Sequence, residues 1–192
     1  MPDYRRSHQR GGTFFFTIVT YQRQHLFADA ANVDRLRAAV LSVMNERPFE
    51  FVAGVVLPDH VHYLWTLPPD DDDFSNRIGR MKALFTKSLV GWALPTKPAK
   101  RSSSRIKHRD ADVWQRRFWE HTIRDQDDLN RHLDYIHYNP VKHGLAACPH
   151  EWGASSFAKW TGQGSYAADW CCRCDGRSVQ PPDFAWAVEE ME

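Results

Sequence analysis

The order of hydrophobic periods predicts an α+β fold: a ferredoxin-like antiparallel sheet with helices on one face and a further helix after it. Three observations carry this. Short β-branched and aromatic runs alternate with stretches of helical spacing in the order strand, helix, strand, strand, helix, strand, helix. The first six elements match a split β-α-β pattern. Turn chemistry at Pro58-Asp59 separates the second and third strands, so those two pair as an antiparallel hairpin.

Each element has its own signal. Gly11-Gly12 precedes Thr13 to Thr20, a strand rich in Phe and β-branched residues. Asn32 is the expected cap of a helix with apolar Val33, Leu36, Val40 and Val43, ended by Pro48. Phe49 to Leu57 and His60 to Leu67 read as the hairpin strands. Asp73 caps a helix with Phe74, Ile78, Met81, Phe85 and Leu89 on one stripe. Residues 93–111 carry Pro, Ser and many cations without a period and read as a loop. Arg117 to Ile123 reads as the fourth strand. Asp125 opens a last helix through about Tyr138, with Pro140 as its stop. Beyond Trp152 no period is evident, and residues 166–192 read as an acidic tail on a body spanning 1–165.

Composition excludes several classes. The chain has 192 residues, of which 42% are hydrophobic, enough for one packed domain. No apolar run approaches the roughly 18 residues needed to span a bilayer, so no membrane association is expected. The stretch after Arg5, Arg6 and Arg10 is too short for a secretory signal. Cys148, Cys171, Cys172 and Cys174 show neither a disulfide framework nor the paired C-x-x-C of a zinc knuckle, and they read as reduced thiols. The formal net charge is +1, but Phe74 to Arg109 holds ten cations and no acid. Such sorting points to a phosphate backbone.

The residues with chemical potential lie on one strand and one helix. His60 and His62, at i and i+2 on a strand, share a face and can meet a common divalent cation. On the last helix, at about 100° per residue, Leu133 and Ile136 define the buried stripe. Asp128, His132, Tyr135 and Asn139 line its edge, and Tyr138 falls opposite, as a surface or loop-packing residue. Tyr135 and Asn139 therefore face the same way, toward the sheet.

Several strings together resemble the REP-associated tyrosine transposases, single-tyrosine members of the bacterial HUH endonucleases. They are Tyr4-Arg5-Arg6, Gly11-Gly12-Thr13-Phe14-Phe15-Phe16-Thr17, Leu57-Pro58-Asp59-His60-Val61-His62, Trp114 to His121, and Asp134-Tyr135-Ile136-His137-Tyr138-Asn139-Pro140-Val141-Lys142-His143-Gly144. The resemblance covers roughly residues 4–160 and makes 1–165 an HUH tyrosine transposase domain with the HUH fold. It implies that His60 and His62 bind the metal, that Asn139 completes the site, and that Tyr135 is the nucleophile. All four positions carry competent residues. It also implies single-stranded DNA with palindromic repeat hairpins as the partner, cleaved beside the hairpin under the guidance of a short tetranucleotide. The expected location is the bacterial cytoplasm, at the nucleoid.

The chemistry expected from this resemblance is DNA cleavage and rejoining through a covalent 5′-phosphotyrosine and a free 3′-hydroxyl. Mg²⁺ or Mn²⁺ fits two imidazoles, an amide and substrate oxygens. His132 and Asp128 are secondary candidates for accepting the phenolic proton. Tyr4, Arg5, Arg6, Arg77, Arg80, Lys82, Lys87 and Lys142 are candidate DNA contacts, with Phe118, Trp119 and Trp152 as base-stacking candidates. Tyr4-Arg5-Arg6 is the segment expected to read bases next to the hairpin. The repeat-associated branch implies a monomer, with dimers sharing sites in trans as the alternative. Two other readings stay open: a catalytically silent hairpin DNA- or RNA-binding protein, and a hydrolase using His60, His62 and a carboxylate such as Asp59 or Glu120.

Overall fold

The computed structural model describes residues 8–89, 112–174, 182–184 and 186. Four antiparallel strands form one sheet: β1 (Thr13–Val19), β2 (Glu50–Val56), β3 (His60–Thr66) and β4 (Trp119–Thr122), in the order β2-β3-β1-β4. Helices α1 (Ala30–Glu46) and α2 (Phe74–Ser88) pack on one face. Helix α3 (Gln126–Lys142) lies on the other, and the short α4 (Phe157–Gly162) follows it. The α+β expectation and the element order hold.

The sheet is buried on both sides because its central strands alternate two sets of apolar side chains. Phe14, Phe16 and Ile18 of β1 and Val61, Tyr63 and Trp65 of β3 join Leu36, Val40 and Val43 of α1 and Ile78, Met81 and Phe85 of α2 in the larger core. Phe15, Ala53, Val55, Leu57 and Leu64 point the other way and meet Leu133 and Ile136 of α3. Register places Thr17 opposite His62 and Val19 opposite His60. Both histidines therefore emerge on the α3 face of an inner strand. Gly54 of β2 admits no larger residue, because a Cβ there would stand 2.6 Å from the Phe51 and Tyr63 rings.

Three boundaries differ from the sequence reading. Asp29, not Asn32, caps α1 by accepting from the Ala31 amide at 2.9 Å. Asn32 is inside the helix, where its side chain donates to the Leu26 carbonyl. Pro140 does not stop α3, which runs to Lys142. A proline in the last turn removes a single intrahelical bond, while its ring and Val141 are buried. The fourth strand is only Trp119–Thr122. Of the two readings for Tyr138, loop packing holds and surface exposure does not: it is buried on Val141, Cys171 and Phe184.

Packing also crosses the expected boundary at 165. The Tyr166 hydroxyl donates to Asp134 of α3, and Trp170 stacks on Phe157 of α4. Helix α4 was not legible because it has only 6 residues. The 93–111 loop and Tyr4, Arg5 and Arg6 lie outside the described residues.

Candidate active site

His60 and His62 have ring centroids 4.9 Å apart. Each is oriented through Nδ1: Asp59 holds His60 at 2.5 Å, and the Thr17 hydroxyl sits 3.0 Å from the His62 nitrogen. Such partners fix ring orientation and leave Nε2 free to ligate, as around known metal-binding histidines. Burial lowers the pKa of both rings, most strongly for His62, where the neighbouring His60, His143 and Lys142 add to it. For His60 the Asp59 carboxylate opposes burial without cancelling it. Both are therefore neutral near pH 7, the state that binds a cation.

Helix α3 supplies the facing wall. The Tyr135 ring stands edge-on to His62 with centroids 5.2 Å apart. Two turns further on, His143 reaches within 5.5 Å of the His60 ring. Asn139 lies between them on the same face and is fully buried. Its carboxamide oxygen and nitrogen, and His62 Nε2, have no hydrogen-bond partner among the described residues. Unmade hydrogen bonds at buried polar atoms cost about 1–3 kcal/mol each. Unpartnered buried donors of this kind, an imidazole nitrogen and an amide oxygen, are of the chemical type that binds a divalent cation. Asp59 is placed behind His60, where it orients the ring instead of joining that set.

The Lys142 ammonium lies 4.9 Å from the centre of the Tyr135 ring. A cation there is placed to attract a nearby phosphate. Beside Tyr135, His132 is fully buried and stacks on His121 at 4.6 Å. Burial lowers its pKa to about 4. Asp128 receives His121 at 2.8 Å, and although burial opposes it, that bond helps bring its pKa to about 2. The rings of Phe184 and Trp186 cover Tyr135 at 5.4 and 5.7 Å, leaving it 5% exposed.

The other candidates are dispersed. Arg77 is buried, its guanidinium bound to Asp71 and to the carbonyls of Arg47, Pro48 and Asp73. It stabilises the α1–α2 layer and is not presented to a phosphate. Arg80 pairs with Glu46 through two bonds of 2.8 and 2.9 Å, and Lys82 donates to the Gln115 carbonyl. Lys87 is exposed. These α2 cations lie across the sheet from the histidines. Phe118 packs against the larger core under the Lys82 ammonium, while Trp119 turns to the α3 face against Phe15. Trp152 donates to the Val56 carbonyl at the edge of β2, which ties its ring to the fold.

Sequence reasoning missed Thr17, Asp59 as an orienting group, His143 and the Phe184–Trp186 cover. His143 had a signal, since it follows Asn139 by one helical turn. The cover had none.

A family model described as "Transposase IS200 like" matches residues 12–139. A REP-associated tyrosine transposase of Escherichia coli (strain K12) is 39% identical over 170 residues, 88% of this chain and 91% of the relative. A Haemophilus influenzae protein assigned to the same group is 42% identical over 170 residues, covering 88% and 93%. The solved structure of a REP-associated tyrosine transposase bound to a REP hairpin superposes with a TM-score of 0.75 at 38% identity, over 96% of both chains. The paired histidines on an inner strand, the facing helical tyrosine and these likenesses agree, and the chain belongs to the IS200-like transposases, in their REP-associated tyrosine transposase branch, with the HUH fold.

Proposed function

We propose that this protein cleaves and rejoins single-stranded DNA beside palindromic repeat hairpins through a covalent 5′-phosphotyrosine on Tyr135. The observation that carries this is Tyr135 edge-on to His62, 5.2 Å between ring centroids, across from the His60–His62 pair. The relative solved with a REP hairpin supports the same class of substrate.

His60, His62 and Asn139 would hold the cation. Mg²⁺ or Mn²⁺ suits that donor set with phosphate oxygens, and the imidazoles favour Mn²⁺ in vitro. When bound, it would polarise the scissile phosphate and offset the charge developing on its oxygens. Thr17 and Asp59 hold the two imidazoles in the ligating orientation. Lys142, beside the Tyr135 ring, would steer the phosphate. Tyr135 oxygen attacks phosphorus, the bond to the 3′ oxygen breaks, and the released 3′-hydroxyl keeps the reverse reaction available for strand transfer. His132 lies one turn before Tyr135, but burial lowers its pKa to about 4, which makes it a weak base for the phenolic proton. Tyr135 meets His62 of its own chain, which supports a monomer working in cis. The setting that follows is the bacterial cytoplasm, on chromosomal DNA.

The test is incubation with single-stranded repeat hairpins, with and without Mn²⁺, resolved under denaturing conditions. A metal-dependent protein–oligonucleotide adduct is expected, absent in Tyr135→Phe. An adduct that persists in Tyr135→Phe rules this nucleophile out. The cover of Phe184 and Trp186 favours a second reading, a hairpin-binding protein silent in catalysis, which predicts tight binding and no adduct under any metal condition.

A further inference from the structure

Three cysteines and a histidine converge away from the His60–His62 pair. The turn Pro149–Glu151 after α3 begins at Cys148. Glu151 clamps it by accepting from the Ala147 and Cys148 amides at 2.9 and 3.1 Å. The chain returns alongside through Arg173, whose amide donates to the Ala147 carbonyl at 2.9 Å. This brings Cys148 Sγ to 2.9 Å from Cys174 Sγ, and Cys172 Sγ to 3.4 Å from His150 Nδ1. The sulfurs of Cys148, Cys172 and Cys174 all lie within 4.8 Å of one another.

These distances are too long for a disulfide, whose bond is about 2.05 Å. Three sulfurs within 4.8 Å of one another need only small side-chain shifts to reach the edge of about 3.8 Å that zinc–sulfur bonds of about 2.3 Å give in a tetrahedron. Three thiolates and an imidazole form a soft, closed set of four, the pattern of structural zinc and not of Mg²⁺ or Mn²⁺. His150, with Nδ1 at 3.4 Å from Cys172 Sγ and a ring nitrogen within 4.8 Å of Cys148 Sγ, is the imidazole at hand, while Glu151 is engaged by two amides. The backbone bends toward this arrangement. Cys171 adopts φ +53°, a left-handed conformation costly for a residue with a Cβ. Its own thiol turns away into the pocket with Tyr138 and Val141.

We propose that Cys148, His150, Cys172 and Cys174 form a structural zinc site that ties residues 172–174 to the turn after α3. The sequence signal is C-x-H followed by C-x-C, which a search for C-x-x-C pairs passes over. Binding would release the thiol protons and close a loop of 26 residues containing α4. The ligands differ in kind from the catalytic set, so either site can fail without the other.

The experiment uses the full chain, purified under reducing, oxygen-free conditions from zinc-supplemented cells, with elemental analysis. One zinc per chain is expected, in the wild type and in the His60→Ala/His62→Ala variant. Cobalt replacement should give strong near-ultraviolet thiolate-to-metal absorption with the visible bands of a tetrahedral ion. Cys174→Ser, at an exposed ligand, should lose about a third of that charge-transfer intensity, one thiolate of three. Cys171→Ser should keep it whole. Four freely titrating thiols without zinc overturn the proposal. So does a Cys148–Cys174 disulfide formed in place of metal binding, or zinc that vanishes in the His60→Ala/His62→Ala variant.

Discussion

Thr17 shows how much of this site rests on groups that never touch substrate. Its hydroxyl fixes His62 through Nδ1, so Thr17→Val should leave the nucleophile intact yet loosen the cation. Replacing such orienting partners costs about 10- to 100-fold in metal affinity. Adduct formation titrated with Mn²⁺ should therefore shift its midpoint upward by that factor and recover at saturation; an unchanged midpoint would remove Thr17 from this role. His137 makes a different prediction. Its ring is fully buried beside Ser156, and burial brings its pKa to about 3 from 6.5. Between those values the unfolded chain takes up a proton that the folded chain excludes. Stability should thus fall as pH drops below 6.5, by about 4–5 kcal/mol at full extent. Thermal melts from pH 7 to 4 should show this, with a shallower acid limb in His137→Leu. The H-x-H pair was legible from strand alternation alone. Thr17 was not, because cross-strand register cannot be read from one segment.

Among the elements, α2 separates two kinds of arginine and lysine that look alike in sequence. Arg77 is buried and bound to Asp71 at 2.7 Å, and that bond lowers the Asp71 pKa. Asp71 is partly exposed, so removing the guanidinium costs chiefly the buried carbonyls it leaves unpaired, about 1–3 kcal/mol each. Arg77→Leu should lower the melting temperature while leaving the salt dependence of hairpin binding unchanged in the folded fraction. Lys142 on α3 is exposed at the site. Lys142→Ala should keep the melting temperature, reduce the slope of log affinity against log salt by about 1, and slow adduct formation by about 10²-fold. A steep loss of stability in Lys142→Ala would contradict this division. Caps and periods made α1, α2 and most of α3 legible. Pro140 misled, since a proline so near a helix end removes little, and burial of its ring and Val141 carries the helix past it.

Over the whole molecule, the sheet divides the hydrophobic residues into a large cluster behind it and a small one in front. Trp65, fully buried between Phe16, Phe49 and Tyr63, belongs to the larger cluster. Trp65→Ala should cost about 3–5 kcal/mol in denaturant unfolding. His60→Ala and His62→Ala, on the opposite side, should cost far less while abolishing cleavage. The overall architecture was readable because both clusters follow simple periods; the packing of residues 166–174 was not, since it depends on irregular chain. The two-sided sheet has an evolutionary consequence. A copy of this gene that lost His60 and His62 would keep its larger core, and such descendants would persist as folded chains instead of disappearing through misfolding.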